Sequence, residues 1–261
     1  MIRSVGYNAN TYVPNFKSGY RTENMQTGEP SGLSVFALYL MTQGINVASE
    51  AVSKALMRGK EYTDFANVDT VVKSMIKDGK LNDIKVRYIN PSNIIQMSLE
   101  LGIPVDQLRE VANGQNAFFS SGHKAVVAPS SKPSLIQHEL GHAINAKKPI
   151  WRALQNSRRY LSAIPALLLG AEILSKRIRK TDEPSVIEKN AGLLGFAAYL
   201  PTIVEEAAAS IRGIQAAKKS LGGNVKLGAL RRNYFLAWLT YLLAGIGFGA
   251  ATKISVKTGI L

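Results

Sequence analysis

The chain of 261 residues contains no cysteine and only three histidines. The lack of cysteine excludes disulfide bonds and every zinc site that is built on thiolates. A transition metal would therefore be bound by histidine, aspartate and glutamate, and three histidines leave few sites to consider. The length is sufficient for one or two domains with a full hydrophobic core, so folding does not require oligomerisation.

Acidic residues are scarce, with 18 Asp and Glu against 32 Lys and Arg, which gives a formal net charge of +14. Such a charge suits nucleic acid, an anionic membrane or an acidic partner. The sequence lacks an RNA-binding aromatic signature, a helix-turn-helix pattern and a glycine-rich phosphate loop. Its basic residues instead flank apolar runs, as at Arg158–Arg159, 176–180 and Arg231–Arg232. We therefore expect membrane lipid, and no nucleic acid, as a partner.

Long hydrophobic runs are also few. Past residue 150 they are limited to three apolar blocks, at Tyr160–Leu174, Ala191–Val204 and Tyr234–Thr252. Only the third approaches the roughly 20 residues that a membrane span requires. The first two predict a hydrophobic helical hairpin at 160–204, either embedded in a membrane or buried in an α-rich domain. The third predicts an apolar C-terminal helix at 221–261, which we expect to lie in a membrane.

The first part of the chain predicts a fold of the α+β class that is mostly α. Residues 1–32 are polar and aperiodic, which predicts a flexible arm, and the first 16 residues lack the apolar core of a cleaved secretion signal. Residues 33–67 form a helical region. The segment 68–128 predicts a compact mixed unit. It begins with a helix capped by Asp69 and ending at Gly79, followed by a strand at Ile84–Ile89. Short helices near 92–101 and 104–112 come next, and then a β-hairpin that joins Ala117–Phe119 to Ala125–Ala128.

The most specific motif is His138-Glu-Leu-Gly-His142, an HExxH pattern within a predicted helix. Residues four apart on a helix lie about 40° apart and one turn along the axis, so both imidazoles can reach one ion. Glu139 then lies beside that ion without being a ligand, as a proton acceptor requires. Chance matches to this pattern in a chain of this composition number roughly 0.002, which favours a metal site over two unrelated histidines.

A catalytic zinc has three protein ligands and one open position, so a third ligand is needed. The extended pattern with a third histidine is excluded, because Asn145 and Lys148 stand where it requires glycine and histidine. His123 lies in a predicted surface turn. The remaining candidates are downstream carboxylates, and an out-and-back hairpin at 160–204 would return two of them, Glu205 and Glu206, to the side of the histidines. The other candidates are Glu172, Asp182, Glu183 and Glu188.

The order HELGH, hydrophobic hairpin and Glu206-Ala-Ala-Ala-Ser210 resembles membrane-associated gluzincin zinc metallopeptidases, and most closely the neutral zinc metallopeptidases of the YugP type. Those families carry HExxH, one or two membrane helices, and then ExxA followed by Ser or Asp. The resemblance covers about residues 68–220 and implies a zincin-like catalytic domain there, with a small sheet packed on the HExxH helix. It selects Glu206 over Glu205 as the third ligand and leaves Glu205 beside the ligands or at a helix start. Ala208 departs from the pattern, since related sequences often have an acidic residue there.

The expected function is therefore a membrane-associated, zinc-dependent metalloendopeptidase that acts on protein or peptide substrates. In this hypothesis His138, His142 and Glu206 bind Zn²⁺, and Glu139 is the general base. The predicted strand Ala125–Ala128 is either a site for pairing with an extended substrate or an ordinary paired strand of the sheet. The distribution of Lys and Arg around the hairpin predicts that the site faces the cytoplasm. The alternatives are a membrane or structural protein whose metal site is vestigial or purely structural, and a soluble zinc protease.

Overall fold

The computed structural model describes residues 32–114 and 116–259, and helices account for 73% of the structure. The predicted class, mostly α with a small sheet and a long apolar C-terminal helix, is therefore confirmed. The predicted arm at 1–32 lies outside the described residues, apart from Gly32. The elements are α1 (Gly32–Met57), α2 (Phe65–Gly79), β1 (Lys85–Ile89), α3 (Ile94–Leu101), α4 (Val105–Ala112), β2 (Phe118–Ser120), β3 (Ala125–Pro129), α5 (Leu135–Ala146), α6 (Pro149–Ser157), α7 (Ile164–Arg179), α8 (Val186–Leu221) and α9 (Gly228–Thr258), with 3₁₀ helices at Arg158–Ala163 and Gly222–Asn224.

The described residues divide into two compact units. The first unit comprises residues 52–155 and 204–240, and the second comprises 32–51, 156–203 and 241–259. Four of the described helices, α1, α6, α8 and α9, have residues in both units. All residues of the predicted metal site belong to the first unit.

The sheet of the first unit has the strand order β1-β3-β2, with β1 parallel and β2 antiparallel to β3. Every residue of β3 is buried, as its sequence AVVAP suits a central strand covered on both faces. Because β3 pairs with a strand on each side, the prediction that Ala125–Ala128 accepts a substrate strand is wrong. Among the described residues, the edge strands of this sheet are β1 and β2.

The N-terminal cap of helix α2 is Asp64, five residues before the predicted cap, Asp69. The Asp64 side chain accepts a hydrogen bond of 2.8 Å from the backbone N–H of Asn67. Asp69 instead lies inside the helix and pairs with Lys73 at 2.6 Å. The extra turn places Phe65 against the ring of Tyr88, with 4.8 Å between the ring centroids.

The core of the first unit is built where α2, the sheet and α5 pack together. The face of α2 that carries Val68, Val71, Val72 and Met75 is buried. It shares one hydrophobic cluster with Ile136 and Leu140 of α5 and with Leu230 and Tyr234 of α9. Helix α5 is buried over most of its length, so its polar side chains must find partners within the protein.

In the second unit, α7 is joined to α8 around the carboxylate of Glu172, which is 2% exposed. Glu172 accepts hydrogen bonds from the backbone N–H groups of Ser185 (3.2 Å) and Glu188 (3.3 Å) at the start of α8. It also forms an ion pair with Lys176, four residues along α7, at 3.5 Å. Glu172 therefore satisfies otherwise unpaired donors of the first turn of α8, where a negative charge is favoured.

Helices α8 and α9 also approach closely within the second unit, through glycines. A Cβ atom built on Gly249 would lie 2.6 Å from the carbonyl oxygen of Gly192, and one built on Gly195 would lie 2.6 Å from Thr252 Oγ1. Real Cβ atoms do not approach other atoms so closely, so the crossing requires glycine at both positions. Such contacts through small residues are typical of helix pairs in apolar surroundings.

We predict that Gly249→Ala destabilises the protein by roughly 1–3 kcal/mol, because the added methyl group meets backbone atoms that cannot move aside. Gly247→Ala is the matched control, since a Cβ there would meet Ile45 at an ordinary 3.5 Å. Thermal unfolding followed by circular dichroism measures both variants. Equal melting temperatures for the two would contradict the close crossing.

Candidate metal centre

Helix α5 carries the HExxH motif and presents both histidines toward α8. His138 and His142 are each 8% exposed and Glu206 is 1% exposed. The Nε2 atoms of the two histidines are 3.0 Å apart. Glu206 Oε2 lies 3.2 Å from Nε2 of His138 and 3.4 Å from Nε2 of His142. Three potential ligand atoms therefore converge on one buried point, and among the described residues these three form the group that can hold a metal ion.

The spacing of these atoms fits a transition metal. Ligand bonds of about 2.0–2.1 Å in tetrahedral geometry place neighbouring ligand atoms roughly 3.3 Å apart. The three observed separations, from 3.0 to 3.4 Å, bracket that value. Two imidazole nitrogens and one carboxylate oxygen are also a ligand set that catalytic zinc sites use. The residues present thus fit a divalent ion such as Zn²⁺, and the ion itself remains unidentified.

The outer nitrogen of each imidazole has its own partner, which fixes the orientation of the ring. His142 Nδ1 lies 2.9 Å from Glu205 Oε1, and His138 Nδ1 lies 3.1 Å from Ser210 Oγ. When Nδ1–H donates to these oxygens, both Nε2 lone pairs face Glu206. Lone pairs at such distances repel one another unless a cation or a proton lies between them.

The carboxylate of Glu205 connects His142 to a wider polar network. Its Oε1 accepts hydrogen bonds from His142, from Asn145 Nδ2 (2.9 Å) and from Gln155 Nε2 (2.7 Å). Gln155 Nε2 also donates to the carbonyl oxygen of His142 at 2.9 Å. Arg212 Nε in turn donates to Asn145 Oδ1 at 2.6 Å. Glu205 is therefore a residue that orients a candidate ligand.

The electrostatics of the site favour a positive charge at its centre. Burial acts to lower the pKa of the His142 imidazole, but the carboxylates of Glu205 and Glu206 outweigh it, so that the pKa lies well above its ordinary value. Burial raises the pKa of the Glu139 carboxyl, and the imidazoles of His142 and His138 oppose that rise. Glu139 is 7% exposed, so this carboxylate is held in a site from which most water is excluded.

Helices α5 and α8 approach closely because both have small residues at their crossing. A Cβ atom on Gly141 would lie 2.5 Å from the carbonyl oxygen of Ala209, which leaves no room for a side chain. A Cβ atom on Gly213, one turn after Ala209, would lie 2.9 Å from the ring of Tyr234. The glycine of HELGH and the alanine of the Glu206-Ala-Ala-Ala-Ser210 segment thus let Glu206 reach the two imidazoles.

The structure brings together His138, His142 and Glu206, which were selected from the sequence, and Glu139 is buried on the same helix as the two histidines. Glu205 lies in the middle of α8 and not at a helix start, because α8 continues through Pro201 without a break. The other candidate ligands lie elsewhere. His123 is exposed in a turn. Glu172 and Glu188 both form ion pairs with Lys176. Asp182 and Glu183, the other candidates, are exposed.

Sequence reasoning did not identify Asn145 and Gln155 as partners of Glu205. Asn145 lies three residues after His142 on the same helix, so its spacing is a usable signal. Gln155 lies on α6, and no local pattern distinguishes it from any other glutamine. Tyr234 was also missed; its ring centroid lies 5.5 Å from that of His138, and its hydroxyl donates to the carbonyl oxygen of Ser134 at 2.8 Å.

Comparison of the chain with protein-family models, with curated proteins and with solved structures finds no match. Inferences about function therefore depend on the sequence motif and on the geometry of this site.

We predict that Glu206→Gln abolishes tight metal binding, because a neutral amide replaces the anionic ligand atom. Glu205→Gln should weaken metal affinity by roughly 10–100-fold, as is usual when a partner of a ligating histidine is lost. Competition with a chelating dye measures both affinities. Glu183→Gln, the same change at an exposed position, should leave the affinity unaltered. A greater loss for Glu205→Gln than for Glu206→Gln would reverse the assignment of ligand and supporting residue.

Proposed function

We propose that this chain is a membrane-associated, zinc-dependent metalloendopeptidase of the gluzincin type, with a zincin-like first unit. The observation that supports the proposal most directly is the convergence of His138 Nε2, His142 Nε2 and Glu206 Oε2 at one buried point. The position of Glu139 next to His138, on the same buried helix, adds a proton acceptor where hydrolysis requires one.

In this proposal the two histidines and Glu206 would hold the ion. Zinc bound in such a site acts as a Lewis acid toward a carbonyl group and lowers the pKa of water to about 7. The Glu139 carboxylate accepts a proton from the attacking water and later transfers it to the leaving amine. Glu205 and Ser210 keep the two imidazoles in the orientation that places Nε2 toward the ion.

An extended peptide is the substrate conformation that suits the first unit. Strand β2 is an edge strand of the sheet and also packs against α5, which carries the candidate ligands. Pairing with the free edge of β2 would hold a peptide by its main chain, largely independent of its sequence. We therefore infer that substrates are unfolded or loop segments of proteins.

The proposed membrane association is supported by α9. This helix of 31 residues contains a window of 18 residues with a mean hydropathy of 1.5, of which 28% is buried within the protein. It is the one helix among the described residues that is long and apolar enough to cross a membrane. The placement of the active site on the cytoplasmic side is proposed from the distribution of Lys and Arg alone.

The alternative is a membrane or structural protein in which the same ligands hold a vestigial or purely structural ion. The buried position of the site within the core of the first unit is the observation that favours it, because loss of a structural ion would unfold that core.

The proposal and its alternative are separated by Glu139→Gln. We predict that purified protein from zinc-replete cells retains about one zinc per chain. The Glu139→Gln variant should keep this zinc and the fold but lose peptide cleavage by roughly 10²–10⁴-fold, because only the proton acceptor is removed. Metal analysis and hydrolysis of an unfolded protein substrate measure the two effects, with Glu183→Gln as the control.

Three outcomes would count against the proposal. Metal-free protein from zinc-replete cells would remove the basis of the proposal. Cleavage that is unaffected by Glu139→Gln would exclude this residue as the base. A zinc-containing protein that cleaves nothing, and that unfolds on His138→Ala, would establish the structural alternative.

Membrane association is tested by fractionation of cells that express the chain. We predict that the protein stays in the pellet after alkaline carbonate extraction, because an inserted helix is held by the hydrophobic effect and not by charge. A peripheral protein of known behaviour, released by the same treatment, is the control. Recovery of the chain in the supernatant would contradict an inserted helix and would leave the soluble zinc protease as the alternative.

A further inference from the structure

The C-terminal part of the chain has charges of one sign only. Residues 207–261 contain eight Lys and Arg and not a single Asp or Glu. Within this part, the exposed pair Arg231 and Arg232 lies near the start of α9, directly before its apolar run. A surface of this kind, basic at the start of an apolar helix, complements the phosphates of anionic lipids.

Aromatic side chains follow the two arginines on the same side of α9. Arg231, Phe235 and Trp238 are spaced by four and three residues, so they lie on one face of the helix. Phe235 is 57% exposed, and its ring centroid is 5.9 Å from that of Trp238, which is half-buried. Aromatic rings directly after basic residues are typical of the level at which headgroups meet acyl chains.

The adjoining side of the same helical turns belongs to the core of the first unit. Leu230 and Tyr234 are each 1% exposed and pack in the cluster that contains Ile136 and Leu140 of α5. The ring of Tyr234 lies against that of His138, with 5.5 Å between the centroids. The beginning of α9 therefore has one face directed to the candidate metal centre and another that is exposed.

We propose that Arg231, Arg232, Phe235 and Trp238 form an interfacial belt that docks on the surface of an anionic bilayer. The arginines contact lipid phosphates, and the two rings lie at the level of the glycerol groups, where α9 enters the membrane. The proposal rests on the membrane association proposed above and adds to it the level at which α9 meets the bilayer and the class of lipid.

This placement has a consequence for the substrates of the proposed peptidase. Tyr234 precedes Trp238 by one helical turn, which corresponds to a rise of about 6 Å along α9. The candidate metal centre, which Tyr234 contacts, therefore lies close to the lipid headgroups. Substrates would then be polypeptide segments at the membrane surface, including those that flank the membrane anchors of other proteins.

The belt is tested by the depth of Trp238 in a bilayer, because the chain contains only two tryptophans. Trp151→Phe leaves Trp238 as the single reporter, and Trp238→Phe leaves Trp151 as the matched control. Each full-length variant is reconstituted into vesicles of phosphatidylcholine with a minor fraction of phosphatidylglycerol. Part of the phosphatidylcholine carries bromine atoms, either near the glycerol or near the methyl end of the acyl chains.

We expect bromines near the glycerol to quench Trp238 more strongly than bromines near the chain ends, and neither to quench Trp151. Quenching of Trp238 by aqueous iodide alone would overturn the belt, and so would stronger quenching by the deep bromines. If Trp151→Phe does not fold, the difference between the wild-type chain and Trp238→Phe gives the same measurement.

The basic part of the belt has its own test in the Trp151→Phe background. Removal of both charges by Arg231→Gln and Arg232→Gln should move Trp238 toward the deep bromines in the anionic vesicles, because the phosphate contacts are lost. Lys77→Gln with Lys85→Gln removes two exposed charges from the first unit and should cause no shift. An unchanged depth in the arginine variant would overturn the proposed phosphate contacts.

These measurements are independent of peptidase activity. Shallow quenching of Trp238 in a protein that cleaves nothing would support the belt and overturn the hydrolase. Cleavage that depends on Glu139, in a protein whose Trp238 remains in water, would do the reverse.

Discussion

The first unit depends on the mutual approach of two imidazole nitrogens and one carboxylate oxygen. Atoms that carry lone pairs are placed 3.0 to 3.4 Å apart in a site that is almost closed to water. This arrangement is unfavourable without a positive charge at its centre, because burial removes the solvent that would otherwise screen the repulsion. The core of the first unit therefore favours a positive charge at this point. The packing of the surrounding helices holds the three ligand atoms in this arrangement.

Local patterns predicted the site helix well, because an HExxH motif depends only on the period of one helix. The strand β1 and the hairpin of β2 and β3 were predicted for the same reason, since their residues alternate or are bounded by turn signals. The two acidic residues at 205 and 206 could not be distinguished by such reasoning. Adjacent residues on a helix point about 100° apart, and the path of the chain from α5 to α8 decides which of them reaches the histidines.

Elements were predicted less well where neighbouring parts of the chain override local preference. The sequence pattern predicts a helix start at Asp69, but Asp64 is an equally suitable capping residue and is also followed by residues that suit a helix. Contact of Phe65 with Tyr88 favours the longer helix. Proline usually ends a helix, but α8 continues through Pro201 to a length of 36 residues. Loss of a single backbone hydrogen bond there is outweighed by the packing of the helix on either side.

The polar network around Glu205 has a mechanical consequence for α6. No residue of this helix is buried, so hydrophobic packing contributes little to its attachment. Its contacts with the first unit include the bonds of Gln155 to Glu205 and to the carbonyl oxygen of His142, and the stacking of Arg212 over Trp151 at 5.9 Å. The carboxylate of Glu205, which orients the candidate ligand His142, thus also helps to attach α6. An ion held by His138, His142 and Glu206 would therefore be linked to α6 through Glu205 and Gln155, and resistance of this helix to proteolytic nicking would then report on occupancy of the centre.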